Sequence, residues 1–441
     1  MDRKQKSQMK QNDTHNVLVV GAGASGLMAA LTAAIHGASV TVLEHMDMAG
    51  KKLMLTGSGK CNYTNTDLSE AHYHGDAAFV REVLLAFSAE DAISFFRERG
   101  IVPVVRQYRH DKGAYLYPAS MEAVSVRDAL LEDCLAHGVK FSFHTEVLSV
   151  SRHKTGKLIV QSSSGNDLAD ALIFATGSNA MPKTGSDSSI YPVLKALEVP
   201  FQPFYPALTS IRCTGKEDAD RLRAVRGVRT DAAVSLEMEQ GSESVRYQST
   251  GEIQFNENSL SGIPVMQLSR YVPKALKSGA AIRLSLDFLP GMSQQEGFLF
   301  VQNQLAAAER RKAAKNHALC GFLPEKLAVM LANEAEKNLA VEIKKGKSSK
   351  NRFCEMLYAN LRKTSFQVTG TGGFEAAQCA GGGVELSCVN PHTMAFRKEP
   401  GIYFAGELLD VDGDCGGYNL QWAWATGFIA GKAAAQTHWI S

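Results

Sequence analysis

Residues 16–44 read NVLVVGAGASGLMAALTAAIHGASVTVLE, and the fold turns on them. NVLVV is a short apolar run that ends in glycine, which predicts a buried strand. Gly21-Ala22-Gly23-Ala24-Ser25-Gly26 follows at once and opens an alanine- and leucine-rich segment that Gly37 stops, which predicts a helix. ASVTVLE is the next strand, so the stretch forms one βαβ unit. In that context G-x-G-x-x-G reads as a dinucleotide-binding turn. Gly21 makes the tight turn, and Gly23 lets the backbone approach a pyrophosphate at the helix N-terminus. Gly26 lets the helix pack close to the strand, and Ala24 and Ser25 complete the candidate turn. Glu44 lies 18 residues beyond Gly26 and would accept hydrogen bonds from the hydroxyls of an adenosine ribose. A carboxylate there would repel a 2′-phosphate, which disfavours NADP as the resident dinucleotide and leaves FAD and NAD open.

Four further glycine-bearing segments extend this site. Residues 50–62, GKKLMLTGSGKCN, follow the strand of Glu44 where an NAD domain would usually continue into a helix. The loop offers Lys52, Gly57, Gly59, Lys60, Cys61 and Asn62, a nest for the middle and far end of a longer cofactor. Ala175-Thr176-Gly177 closes an apolar strand. Gly406-Glu407 ends another, GIYFAGE. The last, GDCGGYNLQWAWATGFIAG at 413–431, runs from a glycine loop into an apolar helix, as if its backbone lay against a negatively charged group. Asp410, Asp412 and Asp414 alternate near it but lack the spacing of an EF-hand; they read as turn residues, with Asp414 as a helix cap. Cys415 reads as packing, with a redox thiol as the alternative.

Composition bounds the rest. The chain has 441 residues, 45% apolar and 21% charged, with a formal net charge of +2. This suits a globular protein of two or three domains and gives no reason to expect nucleic acid or an anionic membrane as partner. The basic clusters Arg310-Arg311-Lys312 and Lys344-Lys345-Gly346-Lys347 lack interleaved aromatics and read as solvated faces. None of the eight cysteines forms a C-x-x-C pair, which argues against zinc and dithiol chemistry and suits a reducing cytoplasm. The N-terminus, MDRKQKSQMKQNDTHN, has no apolar core and predicts a disordered lead-in over 1–14, neither signal nor anchor.

Residues 78–100 and 122–137 predict helices, and KFSFHTEVLSVSRH and KLIVQSSS predict two strands. The texture then changes. Residues 196–293 predict a β-rich domain with one helix near SGIPVMQLSRYVPKAL, and 294–364 a helical subdomain. Both are inserted between the halves of a nucleotide-binding domain, 15–195 and 365–441.

The segments VLVVGAGASGLMAA, GKKLMLTGSGKCNYTN, GAYLYPASMEAVSVRDAL, ATGSNAMPKTGS, GEIQFNENSLSGIPVMQLS, TGTGGFEAAQCAGGGV and GIYFAGELLDVDGDCGGYNLQWAWATGFIAG together resemble the HI0933-like group of FAD-dependent flavoproteins. That family also includes the BaiN-type bile-acid enzymes and aminoacetone oxidase. The resemblance runs from residue 17 to 431. One departure is Ser178, where the family pattern usually carries the second glycine of ATGG. The resemblance implies an α/β fold: a glutathione-reductase-like FAD-binding Rossmann domain with an inserted β-rich domain and a helical subdomain. It places Gly406 and Glu407 by the ribityl and pyrophosphate region, and Val147 at the adenine edge through backbone groups. It brings the backbone N–H groups of Gly417, Tyr418, Asn419 and Leu420 to the flavin pyrimidine edge, where a helix N-terminus stabilises the charge of reduced flavin. For an FAD oxidoreductase, the inserted domain would cover the isoalloxazine and shape the pocket.

No second G-x-G-x-x-G follows a strand, so NAD(P)H would dock transiently as electron donor. No catalytic acid or base and no metal site stands out. The expected activity is hydride transfer between NAD(P)H and a small or medium apolar substrate, an enone or steroid-like compound. An FAD-dependent amine oxidase releasing hydrogen peroxide, or a flavin-binding protein without turnover, are the alternatives. The sequence leaves the oligomeric state open.

Overall fold

The computed structural model describes residues 15–107, 113–241, 243–344 and 351–436. The expected lead-in 1–14 and residues 345–347 of the second basic cluster lie outside them. Two compact units emerge, one of residues up to Phe204 and from Cys379 onward, the other Tyr205–Gln378.

Strand β1 (Asn16–Val20) is buried at every position from Val17 to Val20, as the central strand of a sheet covered on both faces must be. It is followed by helix α1 (Ala24–Ile35) and strand β2 (Ser39–Leu43). Helix α2 (Ala123–Ala136), β3 (Lys140–Ser142), β4 (Ala171–Phe174), β5 (Ile402–Phe404) and helix α3 (Tyr418–Ala435) complete the layer. The sheet order is β5-β4-β1-β2-β3, and every pair is parallel. From β1 the chain winds outward through β2 and β3 on one side and through β4 and β5 on the other. The carboxyl ends of β1 and β4 therefore flank a topological switch point, where an open α/β sheet leaves a crevice for a ligand.

Helices α1 and α3 pack through small residues. A Cβ on Gly427 would lie 2.5 Å from the Ser25 carbonyl oxygen, and one on Gly431 2.3 Å from that of Ala29. Behind them Trp422 and Trp424 are buried, their indole N–H groups donating to the carbonyls of Gly406 and Tyr63 at 3.1 and 2.9 Å. Two predicted elements divide. The helix expected over 78–100 is two helices, Ala77–Ala86 and Ala89–Glu98. Ser88 starts the second in a capping box, its hydroxyl accepting from Asp91 N–H and its own N–H donating to the Asp91 carboxylate. The strand expected over KFSFHTEVLSVSRH breaks at His144, whose φ of 55° interrupts extended backbone. Its first part is β3; its second, Val147–Arg152, pairs antiparallel with Leu158–Ser162.

In the second unit seven antiparallel strands are ordered Thr364–Gln367, Ala281–Asp287, Arg229–Gln240, Glu243–Phe255, Ser259–Ser261, Ile211–Arg212 and Gly370–Thr371. Leu236, Leu284 and Phe366 of this sheet share one core with Val301, Leu331 and Leu357 of the helices Gln294–Arg310, Glu325–Lys344 and Arg352–Arg362. The β-rich and helical segments, separate in the sequence reading, thus close over a single apolar interior.

Candidate functional site

The glycine turn explains itself atom by atom. Gly21 has φ of 98°, and a Cβ there would lie 2.6 Å from the Ala175 carbonyl oxygen at the end of β4. A Cβ on Gly26 would lie 1.9 Å from the Gly21 carbonyl oxygen, so only glycine lets α1 start this close to β1. Gly23 differs: a Cβ would meet nothing within 4 Å. Gly23 is the N-cap of α1, with no side chain capping the helix. The helical ladder begins with Leu27 N–H on the Gly23 carbonyl at 2.9 Å, which leaves the N–H groups of the preceding turn to a ligand.

Glu44 ends just beyond β2 and is buried. Its Oε2 accepts from Ala22 N–H at 2.7 Å and its Oε1 from Met46 N–H at 2.8 Å. Each oxygen keeps a lone pair for a ribose diol. Thr145 N–H donates to the Glu44 backbone carbonyl at 2.9 Å, which brings the strand starting at Val147 alongside.

The loop 50–62 is tied to this turn by Gly50 N–H on the Ala22 carbonyl, 2.9 Å. Gly57, Ser58 and Gly59 all take left-handed backbone, with φ of 56°, 57° and 83°. The N–H groups of Lys60 and Cys61 both donate to the Thr56 carbonyl, at 3.1 and 3.0 Å. The expected nest therefore does not extend to those two amides, because the left-handed turn consumes them. The Cys61 side chain is fully buried, and burial pushes its thiol up to about 12. Asn62 lies between Gly57 and Gly417: a Cβ on Gly57 would be 3.0 Å from Asn62 N, and one on Gly417 2.9 Å from Asn62 Oδ1.

The C-terminal segments close the same crevice. A Cβ on Gly406 would lie 2.3 Å from Ser25 Oγ. The Gly406 N–H donates to Thr426 Oγ1 at 2.9 Å and its carbonyl accepts from Trp422, so Gly406 contributes closeness rather than a hydrogen bond. Glu407 is a junction. Its Oε2 accepts from Lys52 Nζ at 2.6 Å, and its Oε1 from Ser178 Oγ and Ala380 N–H, both at 2.8 Å. No sequence signal points to Ala380, and Ser178 stands out in the sequence only as a departure from a family pattern, ATGG. Its hydroxyl explains why a serine is useful there. Thr176 and Gly177 follow β4, and Thr176 Oγ1 is buried without a hydrogen-bond partner among the described residues.

Gly417, in left-handed backbone at φ 94°, is the N-cap of α3 and has no side-chain cap. Asp414 is therefore not the helix cap the sequence suggests. Its carboxylate instead reaches His72 Nδ1 at 3.5 Å and His74 Nε2 at 3.2 Å. The hydrogen bond to Asp414 is the main cause that raises the His72 pKa, against the opposing effect of burial. The Tyr418 ring lies against Gly416, where an added Cβ would be 2.9 Å from its Cε2, and stacks on His72, centroids 4.4 Å apart. Asn419 staples the loop, its amide bonding both N–H and C=O of Gly413 at 2.9 and 3.0 Å. Tyr418, Asn419 and half-buried Leu420 can thus serve a ligand through backbone N–H groups, with their side chains engaged elsewhere. Cys415 is partly exposed.

These features fit a dinucleotide of flavin length. An uncapped helix end with open space at Gly23, a fixed carboxylate at Glu44, an orphaned hydroxyl at Thr176 and a second uncapped helix end at Gly417 surround one crevice. No group of His, Cys, Asp and Glu suited to a metal occurs among the described residues. No helix there is long and apolar enough to cross a membrane.

The fold and crevice define an FAD-dependent oxidoreductase of the Rossmann type. The chain belongs to the HI0933-like protein Rossmann domain family, which it matches over residues 15–433. It is 34% identical over 435 residues to the 3-dehydro-bile acid delta(4,6)-reductase of Clostridium scindens, covering 95% of this chain and 98% of that protein. It is 28% identical over 415 residues to the ribosomal RNA dihydrouridine synthase of Haemophilus influenzae, covering 93% and 96%. Among solved structures, the 3-ketosteroid delta1-dehydrogenase of Sterolibacterium denitrificans aligns with 97% of this chain and 100% of its own, at 14% identity and a TM-score of 0.48.

Proposed function

We propose that the protein reduces a carbon–carbon double bond conjugated to a carbonyl in a small or medium apolar substrate, with NAD(P)H as the electron donor. The observation that carries this reading is the full-length similarity to a delta(4,6)-reductase of a keto bile acid. Bound FAD supplies hydride transfer through its N5 atom, chemistry that belongs to the cofactor rather than to any side chain.

The residues named above do the holding. The first turn of α1 would hold the pyrophosphate, and Glu44 the adenosine ribose. Lys52, Ser178 and the Ala380 amide fix the Glu407 carboxylate in one orientation, in which it would hold the ribityl chain. The N-terminus of α3, held open by Gly417 and stapled by Asn419, presents backbone N–H groups where negative charge accumulates in the reduced state.

A second reading follows from the relatives named for ribosomal RNA dihydrouridine synthesis. Uracil also carries a double bond conjugated to a carbonyl, so one flavin chemistry serves both substrates. The net charge of +2 favours the small-molecule reading, because an RNA-binding face calls for a basic stripe.

The test is the visible spectrum of the holoenzyme under anaerobic NADH or NADPH, then with a steroid 4-en-3-one added. Bleaching by the nucleotide and recovery with the enone is the expected result. A flavin that ignores both nucleotides but bleaches with amines would sink the reductase reading in favour of an oxidase. Recovery with uridine-containing RNA and not with enones would transfer it to the second reading.

A further inference from the structure

Beside the glycine loop lies a cavity of about 280 Å³ lined by Gly57, Ser58, Lys60, Arg106, Tyr117 and Met121. Its position follows from the chain: Asn62 separates it from Gly417, and Gly57 borders both Asn62 and the Tyr117 ring, whose Cε1 would lie 3.4 Å from an added Cβ. The volume falls just below the range for ligand pockets, room for one functional group and its neighbours rather than for a whole substrate.

The lining carries two cations and no carboxylate. Neither Lys60 nor Arg106 has an ion-pair partner among the described residues, whereas Arg81, Arg99, Arg152, Arg221, Arg352 and Arg362 do. Two like charges facing one concave wall repel each other and gain most from a shared anion. The wall also carries Ser58 and the Tyr117 ring. Ser58 takes left-handed backbone at φ 57°, a conformation that a non-glycine residue rarely adopts and that concentrates at ligand sites.

We propose that this cavity is an oxyanion subsite that takes a carboxylate or phosphate group of a molecule docking at the flavin. Lys60 and Arg106 supply the charge, Arg106 through its planar fork and Lys60 as a point charge. The anion has two sources: an acidic side arm of the substrate, or a phosphate of the nicotinamide donor. That the guest is there for reduction or electron donation rests on the function proposed above; the subsite itself rests only on the cavity.

The experiment therefore has a readout without turnover. Inorganic phosphate is titrated into FAD-loaded protein at constant ionic strength, with binding followed by calorimetry. Wild-type protein should bind with a dissociation constant in the millimolar range. Arg106→Gln, an exposed position on a hairpin, should weaken binding about tenfold, as should Lys60→Gln in preparations that retain full flavin absorbance. Unchanged phosphate binding in both variants, or none in the wild type, overturns the subsite whatever the enzyme reduces. The sources are then separated by kinetics. If Arg106→Gln abolishes a preference for a steroid enone acid over its methyl ester, the anion is the substrate's. If it raises the KM for NADPH about tenfold and leaves acid and ester equal, the anion is the donor's. Loss of phosphate binding with neither kinetic effect also overturns the proposal, since the cavity would then serve no guest at the flavin.

Discussion

Lys52 and Glu407 stand 355 residues apart in the chain, yet the lysine ammonium lies 2.6 Å from the glutamate carboxylate. The pair ties the loop after β2 to the segment after β5, and both flank the crevice. Each side chain is about one-fifth exposed, so the bond is partly shielded from water.

Substitution Lys52→Met removes the charge partner while Ser178 and the Ala380 amide still hold the Glu407 carboxylate. The loss should destabilise the protein by about 1–3 kcal/mol, the range for a half-shielded charged hydrogen bond left incomplete. The denaturation midpoint of the FAD-loaded protein checks the stability, and retention of flavin on a desalting column checks the site. Glu407→Gln should release flavin more readily than Ser178→Gly. The reverse order would mean that the serine, not the glutamate, carries the contact.

Gly427→Val should act at a distance on the glycine turn. The new side chain would be driven into the Ser25 carbonyl, 2.5 Å from its Cβ, inside the first turn of α1. Overpacking of this kind costs about 1–3 kcal/mol, and here it must move α1 or α3. A lowered melting temperature together with weaker FAD retention is the expected pair of results. A fall in stability with flavin binding intact would show that the two helices separate without disturbing the turn.

The His72–Asp414 contact predicts a pH dependence of stability. The folded pKa of His72 is raised above its ordinary value, chiefly by the Asp414 carboxylate. Its contribution is therefore fully present below the unfolded histidine pKa of about 6.5 and is lost as pH rises through the folded value. Melting temperatures of wild type and His72→Gln should differ more at pH 5.5 than at pH 8.5. A gap that is constant across that window would remove the charge from the explanation and leave only the stacking on Tyr418.

Thiol labelling offers a check on the loop 50–62. Burial holds Cys61, Cys134 and Cys213 at about 12, so none should react with a maleimide in the native state at pH 7.5. Cys415 and Cys320, both partly exposed, should label first. Early labelling at Cys61, located by peptide mass mapping, would mean that the left-handed turn opens readily.

What the sequence makes legible is local. Gly21, Gly26 and Glu44 act within one βαβ unit, so spacing alone predicts their roles. The break at Ser88 was also written there, as a serine three residues before an aspartate, but the apolar period running through it is the louder signal. Long-range contacts leave no such trace. Nothing near Ser178 announces Glu407, and nothing near His72 announces Asp414; only the closing of the chain brings them together. Backbone handedness is equally silent at Ser58, because serine has no strong preference for it. The shared core of the second unit was hidden because strand and helix textures were read as separate layers, while the apolar faces of both were complementary.

The packing of α3 on α1 sets a constraint on biosynthesis. The two helices are separated by about 380 residues of chain. At roughly 5–20 residues per second, a ribosome takes ~20–80 s to travel from one to the other. During that time the Ala29 and Ser25 surface of α1 has no mate, and the nucleotide turn has no far wall. The nascent protein must therefore wait until α3 leaves the exit tunnel before the turn gains its far wall and the cofactor can be received.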